Sequence, residues 1–142
     1  MNLLTLDHDN RAQISQWLDT DTWVVACLCA AWCDTCTAYQ EKFAELASLH
    51  PGLRFVWIDI EDQAEVVGDL EVDNFPTLLI QRQDVVSFFG TTLPDLKLAD
   101  RLVRAQMEKS PAELAREAIT SEERKLWQRD CNLRNKLREA QG

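Results

Sequence analysis

The sequence predicts an α/β fold: a central mixed sheet flanked by helices, with further helices after it. Three observations carry that expectation. Two apolar runs without alternation, Trp23 to Cys29 and Leu53 to Ile60, have the pattern of strands buried on both faces. Between them, Tyr39, Phe43, Leu46 and Ala47 recur at helical spacing, so the three segments form a βαβ unit. After Pro76, the runs Thr77 to Gln81 and Val85 to Phe89 flank a turn around Arg82 to Asp84 and read as a hairpin.

The remaining elements follow in chain order. Residues 3–6 are a short apolar run suited to an edge strand. Ala12, Ile14, Trp17 and Leu18 have helical spacing, with Asp9 or Asn10 as the N-cap. His50-Pro51-Gly52 stops the long helix that begins near Thr37. Residues 62–70 predict a short helix ending near Gly68, and Gly90 is expected to end the hairpin. Residues 95–108 are amphipathic, with Leu96, Ala99, Leu102, Val103 and Met107 on one side. Ser110-Pro111-Ala112-Glu113 supplies an N-cap, a proline at the first helical position and an acid two residues later. Thr120-Ser121-Glu122-Glu123 repeats the capping signal, and one last helix is expected to run to about Ala140. The expected organisation is a domain over 1–108 and a C-terminal helical extension over 109–142.

A length of 142 residues is enough for a sizeable core. The net charge of −9 argues against nucleic-acid binding by the general surface. That charge is uneven: residues 1–75 carry 3 basic and 14 acidic side chains, and residues 76–142 carry 12 and 10. No run approaches the ~18 apolar residues of a membrane span. The first residues, Met-Asn-Leu-Leu-Thr-Leu-Asp-His-Asp, lack the basic start of a secretory signal. A soluble cytoplasmic protein without a membrane partner is expected. In such a reducing compartment a C-x-x-C is more often catalytic or metal-binding than structural.

The chemistry centres on Trp32-Cys33-Asp34-Thr35-Cys36. The motif lies where a buried strand gives way to a helix. Cysteines three apart at a helix start share a face and come within disulfide reach. Cys33 falls at the helix N-terminus, where unpaired N–H groups and the macrodipole favour a thiolate. The expectation is dithiol–disulfide exchange, with Cys33 attacking and Cys36 resolving. The competing readings are a structural disulfide and a metal site. A metal site needs more ligands, and the only histidines, His8 and His50, do not adjoin the motif. Cys27 and Cys29, two apart on a strand, share one face and are expected to pack as small hydrophobes. Cys131 is expected to be uneventful, either partly exposed or tucked against the body.

The order of elements around Ala31-Trp32-Cys33-Asp34-Thr35-Cys36, with Phe75-Pro76-Thr77 about forty residues on, resembles the thioredoxin family over roughly residues 1–108. The resemblance implies a thioredoxin-like fold and a cis proline at Pro76 beside the cysteines. It further implies a substrate-binding surface from Trp32, Phe75, Pro76 and Thr77. Protein disulfides would be the substrates, an external dithiol reductant or reductase the second partner, and no cofactor would be held.

Some features depart from the family pattern. Asp34-Thr35 stands where Gly-Pro is common. A carboxylate beside Cys33 opposes its ionisation, and the expected net effect is small. Cys27 and Trp57 occupy the positions of the family's buried acid and its lysine partner, so Cys36 needs another proton acceptor, with Asp34 and Asp59 as candidates. The long helix lacks the kinking proline of many relatives, and the turn glycine before the last strand is absent.

A reading from another class is a protein-interaction module or co-chaperone that uses the C-terminal helices. Those helices carry 6 basic residues between 124 and 138 against Asp130 alone. The run is readable as a solvated face, as docking onto the acidic first half, or as a surface for an acidic partner. Leu126, Trp127, Leu133 and Leu137 do not form one clean stripe, and Trp127 is expected in the core.

Overall fold

In the computed structural model, which describes residues 2–70 and 72–141, the run Trp23–Cys29 is the central strand of a five-stranded sheet. Met1 and Gly142, the outer ends of the two expected regions, and Glu71 lie outside the described residues. The strands are β1 (Leu3–Thr5), β2 (Trp23–Cys29), β3 (Arg54–Asp59), β4 (Thr77–Arg82) and β5 (Val85–Thr91). The helices are α1 (Arg11–Asp19), α2 (Asp34–Leu49), α3 (Ala64–Val67), α4 (Leu96–Met107), α5 (Pro111–Glu117), α6 (Glu122–Asp130) and α7 (Leu133–Gln141). The sheet order is β1-β3-β2-β4-β5. β1 and β2 run parallel to β3, while β4 is antiparallel to both β2 and β5. This is the mixed sheet that the βαβ unit and the hairpin predict.

Every residue of β2 is buried, because both sheet faces are covered. Side chains alternate across a strand, and the core divides accordingly. Val24, Ala26, Leu28, Val56, Ile58 and Leu79 pack with Ile14 and Leu18 of α1, Trp127 of α6, and Leu133 and Leu137 of α7. On the other face Val25, Cys27, Cys29, Phe55, Trp57, Leu78 and Ile80 meet Tyr39 and Phe43 of α2, Ala99 and Val103 of α4, and Leu114 of α5.

The structure corrects some element boundaries. α2 starts at Asp34, three residues before the apolar periodicity begins, with Cys33 as its N-cap. β5 continues through Gly90 to Thr91, because Leu78 and Thr77 of β4 still pair with those residues. The single last helix is two, broken at Cys131-Asn132. The break explains the missing stripe. On one straight helix, at about 100° per residue, Leu126, Leu133 and Leu137 would share a face with Trp127 turned about 100° away. The change of direction instead puts Trp127 with Leu133 and Leu137 in one core and leaves Leu126 exposed.

Buried polar side chains fix that change of direction. Gln81, fully buried on β4, accepts from the Leu133 N–H at 2.9 Å and donates to Asn132 Oδ1 at 2.7 Å. Asn132 donates in turn to the Asp84 carboxylate at 2.9 Å. Removing Gln81 would strand these partners, at a cost of roughly 1–3 kcal/mol for each group left unsatisfied. Gln128 treats β5 as a neighbouring strand would, accepting from the Val86 N–H and donating to its carbonyl, both at 2.8 Å. Arg134 and Arg138 reach Asp19 at the end of α1, each at 2.9 Å. Arg124 lies over the Trp127 ring. Part of the basic run is therefore engaged with its own chain.

The capping signals act in part: Asn10 stands at the N-cap of α1 without a side-chain capping bond, and α6 is capped by Ser121 rather than Thr120. Ser110 and Glu113 form a reciprocal capping box. Ser121 accepts from the Arg124 N–H, and Asp95 caps α4. Where the hairpin turn lacks a glycine, Gln83 adopts a φ of +50°. This left-handed conformation disfavours residues with a Cβ.

Candidate active site

The sheet register assembles the site. β2 and β4 pair Leu28 with Thr77. The end of β2 and the start of β4 therefore lie side by side, bringing Phe75-Pro76 to the edge where the chain leaves for Trp32 and Cys33. The Phe75–Pro76 peptide is cis. A proline suits a strand start because it has no N–H to give a ladder. The Pro76 carbonyl accepts from the Thr92 N–H at 3.0 Å, and Thr77 Oγ1 bonds to the Asn74 carbonyl at 2.7 Å.

Cys33 is a free thiol, half-buried, at the N-cap of α2. Its own N–H donates to the Ala30 carbonyl at 3.1 Å, closing the tight turn between strand and helix. The open N–H groups of the first helical turn face its side of the helix. Trp32 stands beside it, 67% exposed. Two contacts hold the indole: its N–H donates to the Glu61 carboxylate, and its ring meets Phe75 edge-on at 5.7 Å. Trp32, Cys33 and Phe75 thus border one exposed edge, while Pro76 and Thr77 are buried just behind it.

The pairing of Cys36 differs from the one the motif predicts. Cys36 is bonded to Cys29, the last residue of β2, with a Cα–Cα separation of 5.7 Å, well within disulfide range. Cys33 is left unpaired. The predicted shared face of Cys27 and Cys29 is correct, and it is the face α2 covers. Packing alone does not describe Cys29, however. The signal available in the sequence is a cysteine seven residues before Cys36, at the end of a strand that feeds directly into its helix.

Cys27 lies behind this pair, its sulfur 4.0 Å from that of Cys29. Burial pushes its thiol well above the usual range and keeps it protonated. Its register partner is Trp57, which packs on Phe43 at 5.7 Å. An acid and a lysine are thus replaced by a thiol and an indole within the apolar layer. Cys131 is distant in the fold, buried at the α6–α7 break, where burial and the adjacent Asp130 push its thiol up to about 11.

Of the two acids considered as proton acceptors for Cys36, Asp34 is exposed on the first turn of α2. Asp59 is placed differently. It is the register partner of Cys29, and it lines a cavity of about 150 Å³ together with Cys36, Thr37, Gln40 and Trp57. That volume is large enough to admit water. The Asp59 carboxylate also accepts from the Glu61 and Asp62 N–H groups at 2.9 and 3.2 Å, which fixes its direction. Among the described residues no helix is long and apolar enough to cross a membrane.

Residues 4–102 match the family model described as Thioredoxin. A thioredoxin-like protein CXXS1 from Oryza sativa subsp. japonica is 38% identical over 73 residues, covering 51% of this chain and 55% of that protein. A thioredoxin H-type from Picea mariana is 26% identical over 115 residues, covering 79% and 82%. Among solved structures, a chain in the crystal structure of a ferredoxin:thioredoxin reductase and thioredoxin f2 complex superposes with a TM-score of 0.64. It is 20% identical and covers 75% of this chain and 96% of its own. At that identity the likeness speaks for the fold.

Proposed function

The chain belongs to the thioredoxin family, and from that premise we propose that it is a thiol-disulfide oxidoreductase that reduces protein disulfides by dithiol exchange. One observation carries the reading: a free, half-buried thiol, Cys33, at the N-terminus of a sixteen-residue helix, on the edge shared with Trp32 and Phe75-Pro76.

In the forward cycle a substrate segment lies along the Phe75-Pro76-Thr77 backbone, with the Phe75 ring and Trp32 as the apolar wall and the buried Pro76 and Thr77 side chains behind. The Cys33 thiolate attacks one sulfur of the substrate disulfide, and the other leaves as a thiolate that takes a proton. Cys36 then attacks Cys33 in the mixed disulfide. The second substrate thiol departs, and a Cys33–Cys36 disulfide remains. Two electrons have passed from the cysteine pair to the substrate. Asp59 accepts the Cys36 proton across the shared cavity, a role supported by its register with Cys29 and its place on the lining. An external dithiol returns the pair to the reduced state. A reductase is the proposed partner, since a structural neighbour comes from a complex with one. The cytoplasm is the proposed compartment.

We assign residues 109–142 to the folded body rather than to a separate binding module. Trp127, Leu133 and Leu137 are core residues, and Arg134 and Arg138 are committed to Asp19. This placement speaks against the interaction-module reading, which needs those helices free.

The test is dithiothreitol-driven reduction of insulin by the full chain. The wild type is expected to turn over and Cys33→Ser to fall to background. A wild type that does no better than dithiothreitol alone would overturn the proposal.

A further inference from the structure

Cys36 has two sulfur partners within reach. Cys33 precedes it by one helical turn, and Cys29 lies beneath it at the end of β2, 1% exposed and bonded to it. The two alternatives leave different groups at the surface. A Cys33–Cys36 bond consumes the half-buried thiol. A Cys29–Cys36 bond is buried and leaves Cys33 free. The three cysteines sit around one junction of strand and helix, with Cys36 one helical turn from Cys33 and a Cα–Cα separation of 5.7 Å from Cys29.

We propose, building on the dithiol cycle above, that Cys29 is a third redox-active thiol: it takes the disulfide from Cys33–Cys36 and holds it as Cys29–Cys36. The step is an internal exchange. The Cys29 sulfur, as thiolate, bonds to Cys36 while the Cys33–Cys36 bond breaks, and the electron pair leaves on Cys33. The proton given up by Cys29 ends on Cys33, with Asp59, its register partner, as the nearest carboxylate on the cavity wall. One disulfide is present before and after, so no oxidant is needed.

The relay ends at Cys29. Cys27 is close enough to donate its S–H to the Cys29 sulfur, but its register partner is Trp57 where that of Cys29 is the Asp59 carboxylate, so it has no acid beside it to take its proton and burial keeps it a thiol. The consequence concerns substrate release. While the protein is still oxidised, Cys33 is a free thiol again and attacks a second disulfide. Cys36 is now occupied and cannot resolve the product. The oxidised molecule therefore captures a disulfide-bearing partner as a persistent mixed disulfide, and an external thiol is required to free it.

The test uses the reduced full chain and Ellman's reagent, an aromatic disulfide. Samples are quenched in acid at increasing times, and free thiols are alkylated. Cleavage before Asp34 separates Cys36 from Cys27, Cys29 and Cys33, and fragment sequencing reads the linkage. With one equivalent, Cys36 is expected to be joined first to Cys33 and later to Cys29. With excess reagent, wild type is expected to finish with a mixed disulfide on Cys33. Cys29→Ala is expected to finish with Cys33–Cys36 and no adduct there.

A wild type that stops at Cys33–Cys36 with Cys29 alkylated would overturn the relay. So would a Cys33→Ser chain that forms Cys29–Cys36 as fast as wild type, since the bond would then arise without transfer. Mapping of the unmutated chain keeps the test valid if a variant fails to fold. Insulin turnover reads the parent proposal separately. Turnover by a wild type whose Cys29 is recovered as a free, alkylated thiol at every time point defeats the relay alone, and the relay without turnover defeats the reductase reading alone.

Discussion

Leu137→Ala tests whether the last helix belongs to the cooperative fold. Leu137 is fully buried on α7 and lies in the same core as Leu28 of β2 and Ile58 of β3. Truncating a buried leucine removes its transfer free energy and leaves a cavity, at a cost of about 2–5 kcal/mol. The packing around it is contributed by the sheet, α1 and α3, which do not collapse easily into a hole, so ~3 kcal/mol is a fair central figure. A urea m-value of about 2 kcal/mol/M, ordinary for a small domain, converts that loss to a midpoint drop of ~1.5 M. At ~3 °C per kcal/mol, the melting temperature falls by roughly 10 °C. The assay is a urea titration followed both by circular dichroism and by hydrogen exchange of β2 amides. Both probes are expected to shift together. Leu126→Ala, on the exposed side of α6, serves as the control and is expected to stay within ~0.5 kcal/mol. If Leu137→Ala melts α7 early and leaves β2 exchange unchanged, the helix is an appendage and the assignment of 109–142 to the body is wrong.

Gln83→Gly relieves a left-handed residue at the β4–β5 turn. The left-handed penalty of ~1–2 kcal/mol, less the ~0.5–1 kcal/mol of extra chain entropy that glycine loses, leaves a gain of about 0.5–1 kcal/mol, readable as a higher melting temperature. The hydrogen bond from Arg134 opposes the slight burial of Asp19 and, with Arg138, holds its carboxyl below the ordinary carboxylate range. Its contribution is thus complete above an unfolded value near pH 4 and fades as pH falls through the lower folded value. Asp19→Asn is expected to lower the melting temperature at neutral pH and to match wild type near pH 2, with the neutral-pH gap narrowing in high salt. Trp32→Ala removes the edge contact with Phe75. An aromatic contact from Trp32 to the substrate would contribute ~0.5–1.5 kcal/mol of uniform binding, so KM for a protein disulfide should rise roughly 2–12-fold with kcat little changed, as steady-state insulin kinetics would show.

The central strands were legible because burial on both faces leaves an unbroken apolar run, and α2 because its apolar residues repeat every three or four. The caps at Ser110 and Ser121 act through local hydrogen bonds, which short sequence windows contain. The break at Cys131-Asn132 was not legible. It is set by Gln81, about fifty residues away, which takes the first N–H of α7. The pairing of Cys36 with Cys29 was hidden for a similar reason. Spacing shows which cysteines share a helix turn, but not which strand sulfur lies beneath that turn. Asp59 was named among the candidate acids, and only the β2–β3 register distinguishes it from Asp34.

The clasp between Asp19 and the arginines of α7 spans 115 and 119 positions of the chain. One side of the sheet therefore lacks part of its cover until more than a hundred further residues have been made. During synthesis, α1 and the apolar face behind β2 and β3 wait for a helix translated long after them. Loop closure over such a distance is slow relative to local helix formation. The nascent chain exposes sticky surface in the interval, and its acidic first half supplies the like-charge repulsion that keeps neighbouring copies apart until α7 arrives.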